Sequence, residues 1–269
     1  MIAKIPKRII QTGKSIDLPL LSKASAINIK LLNPDFEYLF FDEQKVENFI
    51  DEKFPKFRGI FDAFHQPIQR YDFFRYLAIY HYGGFYFDLD VFLASNLSNL
   101  LKCSCVFPFE DLTLNMFLRR ECGMDWEIGN YAFGATPGHP FIEAIIRNCI
   151  RAQEDPAWVK PMMRSIPRLL RDEYFVLYTT GPGLISRTLA EYPNASKEIK
   201  ILFPENVCDP SYRHRFGDYG VHLMQASWRK RMGPIQRRML LSWWWWIGKK
   251  ARRESLRRGK TRSLDFKVK

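Results

Sequence analysis

Two carboxylates, Asp88 and Asp90, close a short aromatic run, Phe85-Tyr86-Phe87, that follows a Gly83-Gly84 break. Residues two apart on an extended chain point the same way, so both carboxyls can face one ligand. Adjacent carboxylates repel unless a positive charge lies between them. Hard oxygen ligands favour Mg²⁺ or Mn²⁺, and such metals usually share their shell with substrate phosphates. An Asp-X-Asp alone is more often a pair of solvated turn residues. Upstream, Asp72 and Arg75 stand three apart and share a face if their segment is helical; taken alone, they read as an ion pair on a helix surface. The setting gives these four residues weight: two carboxylates close an aromatic strand directly after a glycine break.

The surrounding elements follow from pattern. Pro67 suits a first helical turn, where its missing N–H has no partner. From Ile68, apolar residues recur at Tyr71, Phe74 and Ala78, flanked by Phe73, Leu77 and Tyr80, which predicts a helix with a wide apolar stripe. Gly83-Gly84 ends it, and residues 85–87 read as a buried strand. Before this stretch come a strand from Ile5 to a polar turn at Gln11-Thr12-Gly13, a helix over 20–32, a strand over 36–41, and a helix over 43–54 capped by Asp42. That βαβα order predicts an α/β domain with a mostly parallel sheet, whose ligands sit beyond the carboxyl ends of the strands. Gln11 and Thr12 fall there, although a plain strand-to-loop turn is the competing reading.

After Asp90 the pattern gives a buried Val91–Leu93, a helical turn over 97–101 and a strand over 105–109. The stretch 110–124 shows no clear period. A strand ends at Pro137-Gly138, and a helix starts near Pro140. Residues 141–175 read as helix interrupted at Pro156, Pro161 and Pro167. Thr179-Thr180-Gly181-Pro182 opens a helix through Leu189, and a late strand follows at 199–203. His139, set between prolines, reads as a structural turn residue.

The joint pattern Asp72-Phe-Phe-Arg75-Tyr76 and Tyr82-Gly-Gly-Phe-Tyr-Phe-Asp88-Leu-Asp90 resembles the DXD sugar-binding region of a glycosyltransferase family. That family, family 32-like, includes fungal initiating mannosyltransferases and bacterial capsule and glycolipid glycosyltransferases; clostridial glucosylating toxins are more distant. The resemblance extends to Ile5-Pro-Lys, to Asn130, to the Thr-Gly-Pro turn at Gly181 and to His222 with Ser227-Trp228. It implies a GT-A fold and a divalent metal, Mn²⁺ or Mg²⁺, bridging the diphosphate of a nucleotide sugar. It further implies Asp88, Asp90 and His222 as metal ligands, and the imidazole suits Mn²⁺ better. Asp72 and Arg75 would bind the donor sugar. Gln11, Thr12, Tyr86, Asn130, Gly181, Ser227 and Trp228 would contact substrate. Retention at the anomeric carbon is implied by the resemblance alone. The family pattern often has an aromatic where this chain has Gly13 and Lys14.

Composition bounds the rest. With 269 residues, 46% of them hydrophobic, the chain can build one large core. From Trp228 onward there are fifteen Lys/Arg against two acids, while the remainder carries 26 against 27, so the net charge of +12 resides in the tail. The predicted domains are therefore a catalytic unit over 1–228 and a basic, helical tail over 229–269, with Trp243–Trp246 suited to an anionic membrane surface. Nucleic acid is not expected as a partner, since no nucleic-acid-binding module accompanies the tail. Five cysteines without paired Cys-x-x-Cys units fit reduced thiols. No apolar leader or spanning run is visible, which predicts a bacterial enzyme at the cytoplasmic membrane face. The resulting expectation is a metal-dependent transferase acting on a saccharide or lipid-linked acceptor in surface polysaccharide or glycolipid synthesis. A toxin-like effector that glycosylates a host protein and a non-catalytic membrane or nucleic-acid binder are the alternatives.

Overall fold

The computed structural model describes residues 4–225 other than Ser165, Asn194, Cys208 and 210–212; Ser227, Trp228 and the predicted tail lie outside the described residues. The described strands are β1 (Arg8–Thr12), β2 (Glu37–Phe41), β3 (Gly84–Phe87), β4 (Val91–Leu93), β5 (Cys105–Leu112), β6 (Trp126–Ile128), β7 (Ala132–Ala135), β8 (Ile199–Leu202) and β9 (Gly220–His222). The helices are α1 (Leu20–Leu32), α2 (Glu43–Lys53), α3 (Arg58–Ala63), α4 (Pro67–Tyr82), α5 (Met116–Arg120), α6 (Pro140–Glu154), α7 (Pro156–Met163), α8 (Arg171–Thr179), α9 (Pro182–Glu191) and α10 (Ala195–Glu198).

The central sheet runs β2-β1-β3-β7-β5-β6, with β8 also paired to β5. The pairings β1–β2, β1–β3 and β5–β8 are parallel, while β3–β7, β5–β7 and β5–β6 are antiparallel. The strands β2, β1, β3, β5 and β8 thus share one direction, and β7 and β6 oppose them. The mostly parallel expectation holds, with β7 inserted the other way between β3 and β5. A separate two-stranded ladder joins β4 to β9, pairing Val91 with His222. Neither β9 nor β6 was anticipated from sequence, because three-residue strands carry no readable period.

Alternation along β3 divides the core. Phe85 and Phe87 pack with Ile9, Ile29, Val91 and Phe216 on one face. Tyr86 packs with Ile10, Phe74, Phe133 and Phe141 on the other. Helix α4 lies in the second layer, and its burial corrects the striped helix expected from sequence. Every residue from Asp72 to Ile79 is buried, charged ones included. An all-round apolar helix belongs to a core interior. It begins at a reciprocal Gln66–Gln69 capping box and ends at Gly83. Gly83 has φ +64°, and a Cβ there would stand 2.6 Å from Pro137 Cδ. At Gly84, φ is +104° and a Cβ would meet Arg8 O at 2.6 Å. The Gly-Gly pair therefore lets α4 turn directly into a strand pressed against β1.

Asp42 caps α2 by accepting from Lys45 N at 2.9 Å. His139 caps α6, its Nδ1 accepting from Phe141 N at 3.2 Å, which makes it the structural residue expected. The region 140–179 breaks at Pro156 and Pro167, but Pro161 is retained inside α7. The irregular stretch after Phe109 resolves into an extended β5 with a bulge near Phe109–Asp111, then α5 capped by Asn115. The cysteines at 103, 105, 122 and 149 are free thiols. Among the described residues, no helix is long and apolar enough to cross a membrane.

Candidate active site

The carboxyl end of β3 delivers the acidic pair. Asp88 and Asp90 sit on a turn between β3 and β4, closed by Val91 N donating to Asp88 O at 3.1 Å. The extended-chain argument is therefore not what aligns them; the turn does so, and β9 completes the group. Pairing of β9 with β4 sets His222 opposite Val91, so that ligand atoms of Asp88, Asp90 and His222 all lie within 4.8 Å of one another. His222 Nε2 is 3.2 Å from Asp90 Oδ1. Asp90 Oδ2 accepts from Gln225 N at 2.9 Å, and Asp90 O accepts from Leu223 N at 3.0 Å. The sequence segment leading toward Ser227-Trp228 is thus tied to the acidic turn, although those two residues lie outside the described set.

Helix α4 supplies the charge balance. Arg75, 4% exposed, reaches Asp72 at 3.0 Å and Asp88 at 3.1 Å, and its guanidinium covers the Tyr86 ring at 4.7 Å. Its Nη1 also donates to Asn130 O at 2.9 Å. This is a buried bridge between two acids rather than the surface pair that spacing alone would suggest. Asp72 is fully supplied with donors: Asn130 Nδ2 at 3.1 Å and Thr180 Oγ1 at 2.8 Å, in addition to Arg75. Tyr86 Oη donates to Asp88 Oδ1 at 2.9 Å. Tyr76 Oη donates to Thr180 O at 2.7 Å and accepts from Asn130 Nδ2 at 3.1 Å. Asp72, Arg75, Tyr86, Asp88 and Asn130 therefore form one network.

Burial raises the Asp72 pKa to about 6 despite the opposing charge of Arg75. Asp88 is likewise raised by burial, against the pull of Arg75 and His222. For Asp90, burial also acts upward, but the hydrogen bond and charge of His222 outweigh it and the net shift is downward. His222 shows the complement: burial acts downward, the bond to Asp90 and the charges of Asp88 and Asp90 outweigh it, and its pKa rises. Two carboxylates and an imidazole at this spacing are a donor set suited to Mn²⁺ or Mg²⁺.

Other sequence-predicted residues brace the site. Gln11 is fully buried; its Nε2 donates to Asp88 O at 3.3 Å and its Oε1 accepts from Tyr38 Oη at 2.8 Å. Thr12 Oγ1 donates to Phe41 O at 2.8 Å. Both side chains are spent on the protein, and Gln11 reaches the site through the Asp88 carbonyl. Gly181 caps α9, but its N–H is committed to Val176 O at 3.1 Å and the next residue is a proline. The turn meets the network through Thr180 instead of through a free N–H at Gly181.

Sequence reasoning gave no site role to five contributors: Thr180 and Tyr76, though both stand in the motifs that carry the resemblance, Tyr131, and the pair Glu110 and His214. Tyr131 O accepts from Asp88 N at 2.7 Å while its ring stacks on His222 at 4.3 Å, so one residue touches both arms of the acidic turn. His214 O accepts from His222 N at 2.8 Å, and Glu110 Oε1 stands 3.2 Å from His214 Nδ1. His214 has φ 57°, an uncommon conformation for a residue with a side chain. Adjacency of Tyr131 to Asn130 was the one signal available for it.

This architecture, with its acidic turn at the carboxyl end of a central strand, is the GT-A fold. In solved structures the fold recurs in the PaToxG glycosyltransferase, with TM-score 0.51, 14% identity and 72% of each chain covered. Residues 23–107 match the glycosyltransferase sugar-binding region containing the DXD motif, and the chain carries that region of the family. An inositol phosphoceramide mannosyltransferase 2 of Schizosaccharomyces pombe is 35% identical over 231 residues, covering 83% of this chain and 58% of that protein. A mannosyl phosphorylinositol ceramide synthase of Saccharomyces cerevisiae, SUR1, is 30% identical over 188 residues, covering 70% of this chain and 42% of that one. The chain thus spans about half the length of these relatives. Both are fungal, which lends nothing to the bacterial source expected from sequence.

Proposed function

We propose that the chain transfers a sugar from a nucleotide-sugar donor to a hydroxyl of a lipid-linked or saccharide acceptor, with a divalent metal, Mn²⁺ before Mg²⁺, held by Asp88, Asp90 and His222. The observation that carries this reading is the convergence of those three side chains within 4.8 Å, backed by the buried Asp72–Arg75 bridge. A bound metal would supply Lewis-acid stabilisation to the departing diphosphate. The chain's own residues do the rest. Arg75 lowers the repulsion between Asp72 and Asp88 and favours the ionised form of Asp88 against the pull of burial. Tyr86 and the turn between β3 and β4 hold the Asp88 carboxyl in place. Asn130 and Thr180 fix Asp72, leaving this network as the wall of the donor-sugar site.

The relatives' names favour an inositol phosphate-bearing lipid as the first acceptor to test and mannose as the first sugar. Retention at the anomeric carbon belongs to this reading through family resemblance. Contacts from Ser227 and Trp228 to the diphosphate belong to it as well, as does a basic segment over 229–269 on an anionic membrane face. No observation favours the effector reading, since the likeness to PaToxG supports the fold alone. The test is a panel of nucleotide sugars incubated with Mn²⁺ and with inositol phosphoceramide in mixed micelles. The expected result is release of nucleoside diphosphate with transfer from one donor, abolished by EDTA. Absence of release from every donor would overturn the proposal.

A further inference from the structure

Helix α1 is built inside out. Its inward face carries Ser22, Ser25, Ala26 and Ile29, three of them small. Ser25 Oγ donates to Val91 O at 2.6 Å, and Asn28 exchanges hydrogen bonds with the Leu93 backbone at 3.1 and 2.8 Å. The outward face carries Leu20 at 85% exposure, Ile27 at 54% and Leu31 at 74%, and Ile16, in the loop before the helix, is 70% exposed. Leu20, Ala24, Ile27 and Leu31 recur at i, i+4, i+7 and i+11, one continuous stripe along the helix. Single exposed leucines are ordinary; a stripe on one helix whose serines turn inward is not.

We infer that this face docks on an anionic lipid bilayer, laying α1 in the interface. The inference rests on the lipid-acceptor reading above. Charge complementarity selects the occupant: the helix bears Lys23 and Lys30, both exposed, and no acid. Exposed Lys14 adds a cation in the preceding loop, and Asp17 there pairs with Lys23 at 2.9 Å, so Lys14, Lys23 and Lys30 against Asp17 leave this face and its loop at a net +2. A stripe of aliphatic side chains edged by lysines is the pattern of an in-plane amphipathic helix. Its position suits the reaction. The loop leading into α1 touches the acidic turn, where a Cβ on Gly13 would meet Leu89 at 2.9 Å and Leu18 at 3.1 Å. Through Ser25 and Asn28, α1 is also bonded to β4, the strand that starts one residue after Asp90. Docking by this face would hold the donor site beside the surface from which a lipid-linked hydroxyl projects.

The experiment compares the full chain with an L20S/I27S/L31S variant. Each is sedimented with vesicles of phosphatidylcholine alone or with phosphatidylserine, at low and high salt, and each is assayed for donor hydrolysis and for melting temperature and oligomeric state. The variant is expected to keep hydrolysis and fold while its binding to anionic vesicles falls by about tenfold or more. Wild-type binding should weaken with salt and persist in part, since lysine attraction is screened and aliphatic insertion is not. Equal binding by the two proteins would place membrane affinity elsewhere in the chain and overturn the inference. Loss of melting temperature, or a change in oligomeric state without vesicle binding by the wild type, would do the same, showing that the chain itself or a second copy covers the stripe. Failure of hydrolysis in both proteins would strike the enzymatic reading instead, leaving the vesicle comparison to decide the docking face.

Discussion

Helices α4 and α1 both break the usual rule of apolar inside and polar outside, in opposite senses. α4 buries Asp72 and Arg75 among Phe73, Phe74, Tyr76 and Leu77. α1 turns serines inward and leaves Leu20, Ile27 and Leu31 in water. In α4 the cost of burying charge is offset by a network of named partners, because Arg75 meets two acids and Asp72 meets three donors. In α1 nothing among the described residues covers the exposed stripe. An inversion that is answered within the fold marks a site; one left unanswered marks a surface that meets something else.

The largest effect should come where α4's network meets the acidic turn. Asp88→Asn and Asp90→Asn should each lower transfer by roughly a thousandfold or more, equivalent to about 4 kcal/mol, with near-native circular dichroism. Activity within tenfold of wild type would detach the turn from the chemistry. Removing Arg75 strikes the network itself: Arg75→Ala leaves buried Asp72 and half-buried Asp88 without their cation and should cost about 3–5 kcal/mol in urea unfolding. A loss under 1 kcal/mol would mean that water already screens the pair, and the contrast with α1 would fail on its α4 side.

Glu127 extends the contrast to a half-buried acid whose described hydrogen-bond partner is neutral. Burial raises its pKa to about 7, with Thr113 as hydrogen-bond donor and Glu110 and Asp111 pushing it further up. A raised carboxyl pKa means the folded state holds its proton more tightly than the unfolded one. The resulting stability is fully present below pH ~4.3 and is lost as pH rises through about 7. Glu127→Gln should therefore stabilise the protein by up to about 3 kcal/mol at pH 9 and by little at pH 4, read from unfolding midpoints. A pH-independent effect would mean that folding does not raise the Glu127 pKa. The smallest effect belongs to α1, where L20S/I27S/L31S should shift stability by about 0.5 kcal/mol or less per site, as exposed substitutions do.

Much of this was legible in the sequence, for reasons that differ by element. The α4–β3 segment was readable because a long apolar helix, a glycine stop and an aromatic strand each leave a local mark. Asp72, Arg75, Asp88 and Asp90 were singled out on that basis, yet the reason for their alignment was not. A turn, not an extended strand, brings Asp88 and Asp90 together, and burial, not helix-surface pairing, joins Asp72 to Arg75. The roles of Thr180, in the Thr-Gly-Pro turn, and of Tyr131, beside Asn130, were not legible because their contacts with Asp72 and with Asp88 and His222 depend on chain segments far apart in sequence. The β4–β9 ladder that sets His222 pairs residues 131 apart, and only the motif resemblance hinted at it. The exposed stripe on α1 was hidden for another reason: an apolar period predicts a helix equally well whichever way the face turns.

The central claim is that Asp88, Asp90 and His222 form one metal site serving a nucleotide sugar. Mn²⁺ titration followed by electron paramagnetic resonance, with and without donor, tests it without requiring the acceptor. The account predicts one tight Mn²⁺ per chain in the presence of donor, weakened in His222→Ala and lost in Asp90→Asn, with both variants folded. Mn²⁺ binding of wild-type strength in Asp90→Asn, or donor hydrolysis undiminished by EDTA, would contradict it.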